Sequence, residues 1–344
     1  MDIDKTKTYE TKRLIIRPFK ESDFEAIHSY ASHAENTYHM LFGPNNEEET
    51  RSFLKYAIDT VPRELAIVLK QTGALIGGCG LSVKEDCGEL GWIFHRDYWR
   101  KGYGTEVARF LLAFGFDELG LRRIIASASA ENHGSYRIME KIGMRREAVF
   151  QDSRKAREGY FREYYDECRY AILRDEWEIQ KEIAYYNSLP CEFNRFVDIP
   201  RLESGDIYLV CTQKSMGNPE KKHVPGYGFA ICKNSEKIGN IGLRIGYGGG
   251  HYNSNLYYGG QIGYGIDEAH RGKGYAVEAC RLIAPIAKTH KMHKLLITND
   301  HANTASRRVC EKLGAKLIRL VRLPEWTDMY QEGQRFSNIY EWSI

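Results

Sequence analysis

Hydrophobic and polar positions in the first half of the chain follow strand and helix periods in turn. Alternation and short apolar runs predict strands, whereas apolar residues three and four positions apart predict amphipathic helices. A strand is predicted at 13–17, and two helices follow it, one after Glu21 and one after the turn at 43–45. The pattern then predicts a hairpin (65–70 and 74–83), a strand at 89–94, a helix after Gly104, a strand at 123–128 and a helix at 132–141 that ends at Gly143.

The second half repeats this order of elements. The pattern there predicts a hairpin (228–232 and 238–245), a strand at 261–266, a helix, a strand at 295–298 and a helix at 303–312 that ends at Gly314. Gly274 follows Gly102 by 172 positions, and Asn303 follows Asn132 by 171. Identical residues at an almost constant offset, with one deletion between the loop and the last of these helices, indicate a duplicated unit. We therefore predict two domains, at 1–174 and 191–344, joined by a connecting helix at 175–190.

Three features of the second half depart from the first. Before its hairpin, the stretch from 207 to 228 has room for a strand and a loop, but not for two helices. Pro285 lies inside a predicted helix, so we expect a kink or an early end there. The glycine- and tyrosine-rich segment 246–260 is open to two interpretations, a mobile substrate loop or an ordinary hairpin loop.

Composition narrows the functional class. The 344 residues carry a formal net charge of only +3, which argues against a nucleic-acid-binding protein. Neither a membrane-spanning apolar run nor a signal-peptide core is present in the sequence, so we expect a cytoplasmic protein without a membrane partner. The eight cysteines form no Cys-x-x-Cys pair, so we expect reduced, buried cysteines and no metal site.

Two short loops carry the candidate chemistry. Residues 99–104 and 271–276 each lie between a predicted strand and a predicted helix. Backbone N–H groups at a helix N-terminus, together with the helix dipole, favour an anion such as a pyrophosphate. Lys101 and Lys273 add positive charge nearby. One glycine loop alone is explained equally well as a tight turn, but two copies in matching positions favour an anion-binding site.

These loops resemble the coenzyme A loop of the GNAT N-acetyltransferase superfamily, whose signature is Gln/Arg-x-x-Gly-x-Gly/Ala. Arg271, Gly274 and Ala276 match the signature fully, whereas the first copy has Gly102 and Gly104 but Trp99 in place of Gln or Arg. Residues 11–18 and 159–163 resemble the branch of ribosomal-protein N-terminal acetyltransferases. The resemblance implies an α/β fold of two GNAT-like domains. Each would hold a mixed, mostly antiparallel sheet, flanked by helices and split in a V between its two central strands.

The resemblance also implies acetyl-CoA as the cosubstrate and assigns residues to it. In the first half it implies cofactor contacts by Ile93, Phe94, Arg100, Lys101, Gly102, Tyr103, Gly104, Thr105 and Asn132. In the second half it implies contacts by Ile266, Arg271, Gly272, Lys273, Gly274, Tyr275, Ala276, Asn303 and Ser306. The two asparagines are also explained as helix caps. Many family members carry a tyrosine general acid seven positions after this asparagine, where this chain has Met139 and Cys310.

Acetyl transfer to an amine needs a group that takes a proton from nitrogen, and one carboxylate stands out. Glu89 begins the strand that leads into the first loop, where several family members have a catalytic glutamate, although an exposed strand glutamate is an equal explanation. The corresponding residue is Gln261, which cannot act as a carboxylate base. We therefore expect the first half to carry acetyl transfer, with Glu89 as base and Ser135, or water, as proton donor to the thiolate.

Two other functions compete with this expectation. One is a protein that binds or senses acyl-CoA without turnover, and another is an enzyme in which only the second half is active. A nucleotide-binding loop is disfavoured because the chain has no Gly-Lys-Ser/Thr loop. The acceptor is expected to be an amine, on a small molecule or a protein N-terminus. We expect either a monomer with an internal pseudo-dimer or a homodimer.

Overall fold

The structure is a computed structural model that describes residues 6–60, 63–155, 163–218, 220, 223–247 and 253–344. The chain divides into two compact units, Met1–Gln180 and Lys181–Ile344. The division falls inside a helix, α6, whose bounds are Arg174–Ser188. A connecting helix was expected over 175–190.

Unit 1 follows the predicted order closely. Its strands are β1 (Tyr9–Glu10), β2 (Leu14–Arg17), β3 (Glu64–Leu69), β4 (Leu75–Lys84), β5 (Cys87–Phe94), β6 (Arg123–Ser129), β7 (Arg145–Lys155) and β8 (Tyr164–Leu173). Its helices before α6 are α1 (Phe24–Ala31), α2 (Ala34–Thr37), α3 (Glu47–Asp59), α4 (Tyr103–Ala113) and α5 (His133–Lys141).

Unit 2 repeats the strands but not all of the helices. Its strands are β9 (Leu202–Ser204), β10 (Ile207–Ser215), β11 (Gly226–Lys233), β12 (Glu236–Arg244), β13 (Ile262–Ile266), β14 (Lys294–Asp300), β15 (Lys316–Arg322) and β16 (Phe336–Ser343). Its helices after α6 are α7 (Asn253–Gly259), α8 (Tyr275–Thr289), α9 (Thr304–Leu313) and α10 (Asp328–Gln331).

Each unit is built on one eight-stranded sheet, and the two sheets have the same topology. The order is β1-β2-β3-β4-β5-β6-β8-β7 in unit 1, and β9-β10-β11-β12-β13-β14-β16-β15 in unit 2. In both sheets the central pair, β5 with β6 and β13 with β14, is parallel, and the other neighbours are antiparallel. The predicted fold class, two mixed and mostly antiparallel sheets flanked by helices, is therefore confirmed.

The sheet of unit 1 is covered on both faces. Side chains on successive strand residues point to opposite faces, so alternate residues of β5 enter different cores. Leu90 and Phe94 belong to the larger core, which is shared with residues of α4 and α5. Ile93 packs instead against a second core that includes Ile27 of α1 and Leu54 of α3. One face of β5 is therefore walled by helices that lie between β2 and β3 in the chain.

Unit 2 differs from unit 1 at three places. The described residues between β10 and β11 contain no helix, as the short interval predicted. Both loop interpretations of 246–260 are wrong for residues 253–259, because these form α7, with Leu256 and Tyr257 buried. The remainder of that prediction, at 248–252, lies outside the described residues. The early helix end expected at Pro285 is also wrong, because α8 continues to Thr289.

The turn between β1 and β2 is tied to the first turn of α4 by one glutamate. Glu106 accepts hydrogen bonds from the hydroxyl of Thr11 at 2.6 Å and from the backbone N–H of Arg13 at 2.7 Å. The Nε atom of Arg13 donates to the second carboxylate oxygen at 2.7 Å. Burial alone would raise the pKa of Glu106, but these hydrogen bonds outweigh it and the pKa is lowered.

We predict that Glu106→Gln lowers the free energy of unfolding at pH 7 by about 2 kcal/mol, because hydrogen bonds to a charged group are lost. A lowered pKa in the folded state gives stability that is present above the unfolded-state pKa and lost as the pH falls through the folded-state pKa. The difference from the unsubstituted protein is therefore expected to disappear in acid. Chemical denaturation at pH 7 and below pH 4 measures it.

The matched control is Glu118→Gln, which removes the partner of an exposed ion pair with Lys7. Exposed pairs of this kind contribute about 0–1 kcal/mol, so a small change is expected. Equal losses for the two variants at pH 7 would contradict the assigned role of Glu106.

Candidate active site

The parallel strands at the centre of unit 1 part after four paired positions. Pairing between β5 and β6 runs from Cys87 with Arg123 to Leu90 with Ala126. Beyond that row, β5 continues to Phe94 and pairs only with β4, while β6 continues to Ser129 and pairs only with β8. The facing edges of the two strands therefore present backbone groups that no strand satisfies, which is where an extended ligand can add hydrogen bonds.

The sheet of unit 2 splits at the equivalent row. Its parallel strands pair at Ile262 with Ile297, after which β13 pairs only with β12 and β14 only with β16. Just before this row, the Gln261 side chain accepts a hydrogen bond from the Leu296 N–H at 2.5 Å and donates to the Gly246 carbonyl at 2.9 Å. Gln261 is fully buried, so its amide holds the strands together at the start of the split.

Each split opens towards a loop with an unusual backbone. In the first loop, φ is +59° at Arg100 and +81° at Gly102, and in the second it is +78° at Gly272 and +87° at Gly274. Two left-handed residues separated by one position turn successive N–H groups towards a common point, which is an anion-binding nest. Each loop leads directly into a helix, whose first N–H groups lack helical partners. Both loops therefore suit a phosphate group.

The loop glycines are required by backbone conformation and not by crowding. A Cβ atom added at Gly272 or Gly274 would meet no other atom within 4 Å, but the left-handed φ disfavours any side chain there. Arg100 adopts the same conformation with a side chain, a conformation that costs energy and clusters at functional sites. Gly104 is closely packed instead, because a Cβ there would lie 2.5 Å from Cδ1 of Ile138 on α5, and a side chain at Gly104 would require Ile138 to shift.

Trp99, the departure from the family signature, makes the same hydrogen bond as the signature residue. The indole N–H of Trp99 donates to the Phe94 carbonyl at 2.8 Å. In unit 2, Nε of Arg271 donates to the Ile266 carbonyl at 3.0 Å. Both acceptors are the last residue of the strand beside the split. The sequence difference therefore preserves the contact that holds the loop to the strand end.

The two asparagines cap helices, as the simpler interpretation predicted. The Asn132 side chain accepts from the Ser135 N–H at 3.1 Å, and the Asn303 side chain accepts from the Ser306 N–H at 3.0 Å. The Ser306 hydroxyl also lies 2.9 Å from the hydroxyl of Tyr264 on β13. Met139 and Cys310, at the position of the family's tyrosine acid, are buried. Ser135 and Ser306 place hydroxyl groups, which can donate a proton, at the starts of α5 and α9.

Glu89 lies on the face of β5 that the helices cover at Ile93, but its own side chain is exposed. It pairs with Ser82 on β4 and Ile125 on β6, one row before the strands part. It shares a face with Gly91 and Ile93, since alternate strand residues point the same way. A Cβ atom added at Gly91 would meet nothing within 4 Å, so open space begins at the first unpaired row. Glu89 therefore lies at the edge of that space.

Two further residues near the split were not singled out from the sequence. Asn36, on α2, is buried and donates from Nδ2 to the Phe94 carbonyl at 2.7 Å. Glu64, at the start of β3, lies across from Gly80, which in turn pairs with Gly91. Burial raises the pKa of Glu64 to about 7, and the opposing effect of Arg63 is smaller. An acidic residue that begins an apolar strand was the available signal for Glu64.

The second unit has no carboxylate at either corresponding position. The row of Glu64, Gly80 and Gly91 corresponds to Gly228, Gly242 and Gly263, which pair in the same way across β11, β12 and β13. Gln261 stands where unit 1 has Glu89. Next to this row, Arg244 hydrogen-bonds the Gly260 carbonyl at 3.1 Å, and burial lowers its pKa. The two splits therefore share their backbone geometry but differ in charge.

Three further observations concern the part of the chain that the structure describes. All eight cysteines are free thiols, and five are buried, but the expectation of burial is wrong for Cys87, Cys191 and Cys211, which are partly exposed. The described residues contain no cluster of three side chains suited to a metal ion. Among these same residues, the helices are too short or too polar to span a bilayer.

Comparison with known proteins gives a consistent result. Residues 13–145 and 200–316 match the acetyltransferase (GNAT) domain family. YnaD of Bacillus subtilis, an uncharacterised N-acetyltransferase, is 37% identical over 169 residues, which is 48% of this chain and 97% of that protein. FsC-acetyl coenzyme A-N(2)-transacetylase of Aspergillus fumigatus is 30% identical over 96 residues, 28% of this chain and 40% of that protein.

Among solved structures, a GNAT-family acetyltransferase from Bacillus anthracis is 36% identical. The match covers 49% of this chain and 100% of the Bacillus anthracis chain, with a TM-score of 0.46. Two separate stretches of this chain match one domain family, and their splits and loops occupy equivalent places in two sheets. The chain is therefore an N-acetyltransferase that belongs to the GNAT family and contains its domain twice.

Proposed function

We propose that this chain moves an acetyl group from acetyl-CoA to a primary amine, and that the first unit performs the reaction. The observation that carries this proposal is that the two units share one backbone arrangement but carry different side chains beside the split. Both units have the split and the nest, but only unit 1 has a carboxylate, Glu89, at the position just before the last paired row. Its counterpart Gln261 is buried, and its side-chain amide is hydrogen-bonded to the backbone.

Each loop would hold the pyrophosphate of one acetyl-CoA molecule. In unit 1 the N–H groups of residues 100–105 would meet the phosphates, and the pantetheine arm would extend along Ile93 and Phe94 in the split, beside Asn132. In unit 2 the corresponding groups are residues 271–276, with Ile266, Asn303 and Ser306 along the arm. The nests, the helix N-termini and the charges of Lys101 and Lys273 support this placement. The Aspergillus relative is named for acetyl coenzyme A.

The reaction in unit 1 is direct attack of the amine on the thioester. The nitrogen forms a bond to the carbonyl carbon, and Glu89 takes a proton from that nitrogen as the bond forms. The carbon–sulfur bond then breaks, and Ser135 or a water protonates the departing thiolate. General-base assistance of this kind contributes about a hundred- to ten-thousand-fold, and alignment of amine and thioester contributes further.

The acceptor would enter over the helix-covered face of β5. Asn36 binds the end of β5, and the residues that follow α2 carry exposed apolar side chains, with Leu41 61% and Phe42 37% exposed. Exposed apolar side chains beside a cleft suit a ligand with an apolar part. This supports an amine attached to a larger body, either a small molecule or a protein N-terminus.

The second unit would bind acetyl-CoA without the same turnover. A specific observation favours this role over a second active site of equal activity. Gln261 and Gly228 occupy the positions that correspond to Glu89 and Glu64, so neither position has a carboxylate in unit 2. A thiol-release assay with short peptides and small primary amines tests the whole proposal. Thiol release that requires an amine indicates an enzyme, and binding of acetyl-CoA without thiol release indicates a sensor.

We predict that Gly102→Glu abolishes amine-dependent thiol release, whereas Gly274→Glu leaves most of it. A side chain is disfavoured at both left-handed positions, and a carboxylate there repels the phosphates. Steady-state kinetics with acetyl-CoA and the best amine of the panel measure the effect. The two substitutions are chemically identical and differ only in the unit that carries them.

If Gly274→Glu removes the activity and Gly102→Glu does not, the second unit is the catalytic one. Calorimetric titration with coenzyme A is the control, because each variant is expected to lose one binding event and retain the other.

A reciprocal exchange at the base position gives a further prediction. Glu89→Gln is expected to lower turnover about a hundred-fold and to change the free energy of unfolding by less than about 0.5 kcal/mol, because the side chain is exposed. Gln261→Glu is expected to lower the free energy of unfolding by about 3 kcal/mol, because it buries a carboxylate opposite the Gly246 carbonyl.

Turnover and chemical denaturation, measured on both variants, separate the two roles. A Glu89→Gln variant with unchanged turnover would contradict the role of Glu89. A Gln261→Glu variant that is equally stable and gains activity in the second unit would contradict the structural role of Gln261.

A further inference from the structure

A second carboxylate faces the open space beside the split of unit 1. Glu64 begins β3, and its strand partners lead across the sheet to Gly80 on β4 and then to Gly91 on β5. Residues directly opposite each other on neighbouring strands share a face. Glu64 therefore lies on the face that carries Glu89, under the wall formed by α1 and α3.

Two glycines, Gly80 and Gly91, lie between this carboxylate and the split. A Cβ atom added at Gly80 would lie 2.1 Å from the Arg63 carbonyl oxygen and 3.2 Å from Oε2 of Glu64, so the glycine lets the start of β3 and the Glu64 carboxylate lie close to β4. Gly91, one strand further on, has open space on the same face. Neighbouring strands are about 4.8 Å apart, which places the carboxylate about one strand away from the first unpaired row of the split.

The surroundings of Glu64 leave it available to a ligand. Among the described residues, no hydrogen bond or ion pair to its side chain is present. The side chain of Glu64 is half-buried. Burial raises the pKa of the Tyr30 hydroxyl, and the negative charge of Glu64 raises it further, which shows that the two groups lie near each other. A buried carboxylate without a partner is costly unless a cation meets it. An incoming ammonium group would supply that cation.

We propose that Glu64 is a second carboxylate of the first-unit acceptor site, where it binds the ammonium form of the amine and takes one proton from it before attack. This inference rests on the function proposed above. An ammonium nitrogen has no lone pair, so two protons must leave it in the whole reaction. Glu64 takes the first, which frees the lone pair, and Glu89 takes the second as the nitrogen–carbon bond forms. The thiolate leaves with the electron pair of the carbon–sulfur bond and is protonated by Ser135 or water.

The elevated pKa of Glu64 suits the first of these steps. A carboxyl group with a pKa of about 7 is a stronger base than an ordinary glutamate, whose pKa is about 4.3. It is therefore better matched to an α-amine, whose pKa is about 8. The corresponding row of unit 2 is Gly228, Gly242 and Gly263, so that unit retains the space but has no group for this step.

The test is the pH dependence of kcat/KM for Glu64→Gln in the full chain, with the best α-amine peptide of the panel as acceptor. In the unsubstituted protein kcat/KM is expected to fall as the pH decreases through about 7, where Glu64 becomes protonated. The variant depends on free amine from solution. Its kcat/KM is expected to be about tenfold lower at pH 7, to rise about tenfold per pH unit, and to approach the unsubstituted protein above pH 8.

Two controls separate this role from a structural one. Glu25→Gln makes the same change at an exposed position on α1 and is expected to leave the pH profile unchanged. The melting temperature of Glu64→Gln at pH 8 is expected to equal or exceed that of the unsubstituted protein, because the ionised group is held at an unfavourable pKa in the fold.

A Glu64→Gln profile that matches the unsubstituted protein, or that is lower by one factor at every pH, would overturn the role of Glu64 and leave the proposed function intact. If the unsubstituted protein releases no thiol with any amine, the proposed function itself fails, and the role of Glu64 fails with it.

Discussion

The early end of parallel pairing at the centre of each sheet is the constraint on which the rest of the structure depends. After the row of Leu90 with Ala126, and after the row of Ile262 with Ile297, the two central strands have different neighbours and cannot pair again. Buried backbone groups need hydrogen-bond partners, so an interrupted pair at the centre of a sheet implies a ligand or solvent in the gap. The loops, the helix N-termini and the capped helices α5 and α9 are all arranged around that gap.

The two units share one backbone arrangement but carry different side chains beside the split. In unit 1 the face beside the split carries Glu89 and Glu64, whereas unit 2 has Gln261 and Gly228 at the same places and Arg244 close by. The backbone conformation of the loops does not depend on these side chains, because it is set by the left-handed residues of the loops. The loop backbone and the charged groups beside the split therefore vary independently in this chain, and this is the physical basis of the unequal roles that we propose for the two units.

The sequence predicted the features that depend on local chemistry. Hairpins, helix ends such as Gly143 and the two loops were predictable because periodicity and glycine positions determine them directly. The sequence shows Trp99 only as a departure from the family signature. Trp99 and Arg271 each donate a hydrogen bond to the end of a strand, and this equivalence exists only in the folded chain. The helix α7 was missed because glycine and tyrosine are weak helix formers, and burial of Leu256 and Tyr257 outweighs that propensity. Glu64 was missed because its importance depends on glycines in two other strands.

Isothermal titration of the whole chain with coenzyme A tests the central claim most directly, because it counts cofactor sites without requiring knowledge of the acceptor. Two equivalent splits with two nests predict two molecules bound per chain, with separable affinities because the neighbouring charges differ. A single molecule bound per chain, or none, would contradict the account that both units kept the cofactor site while their catalytic side chains diverged.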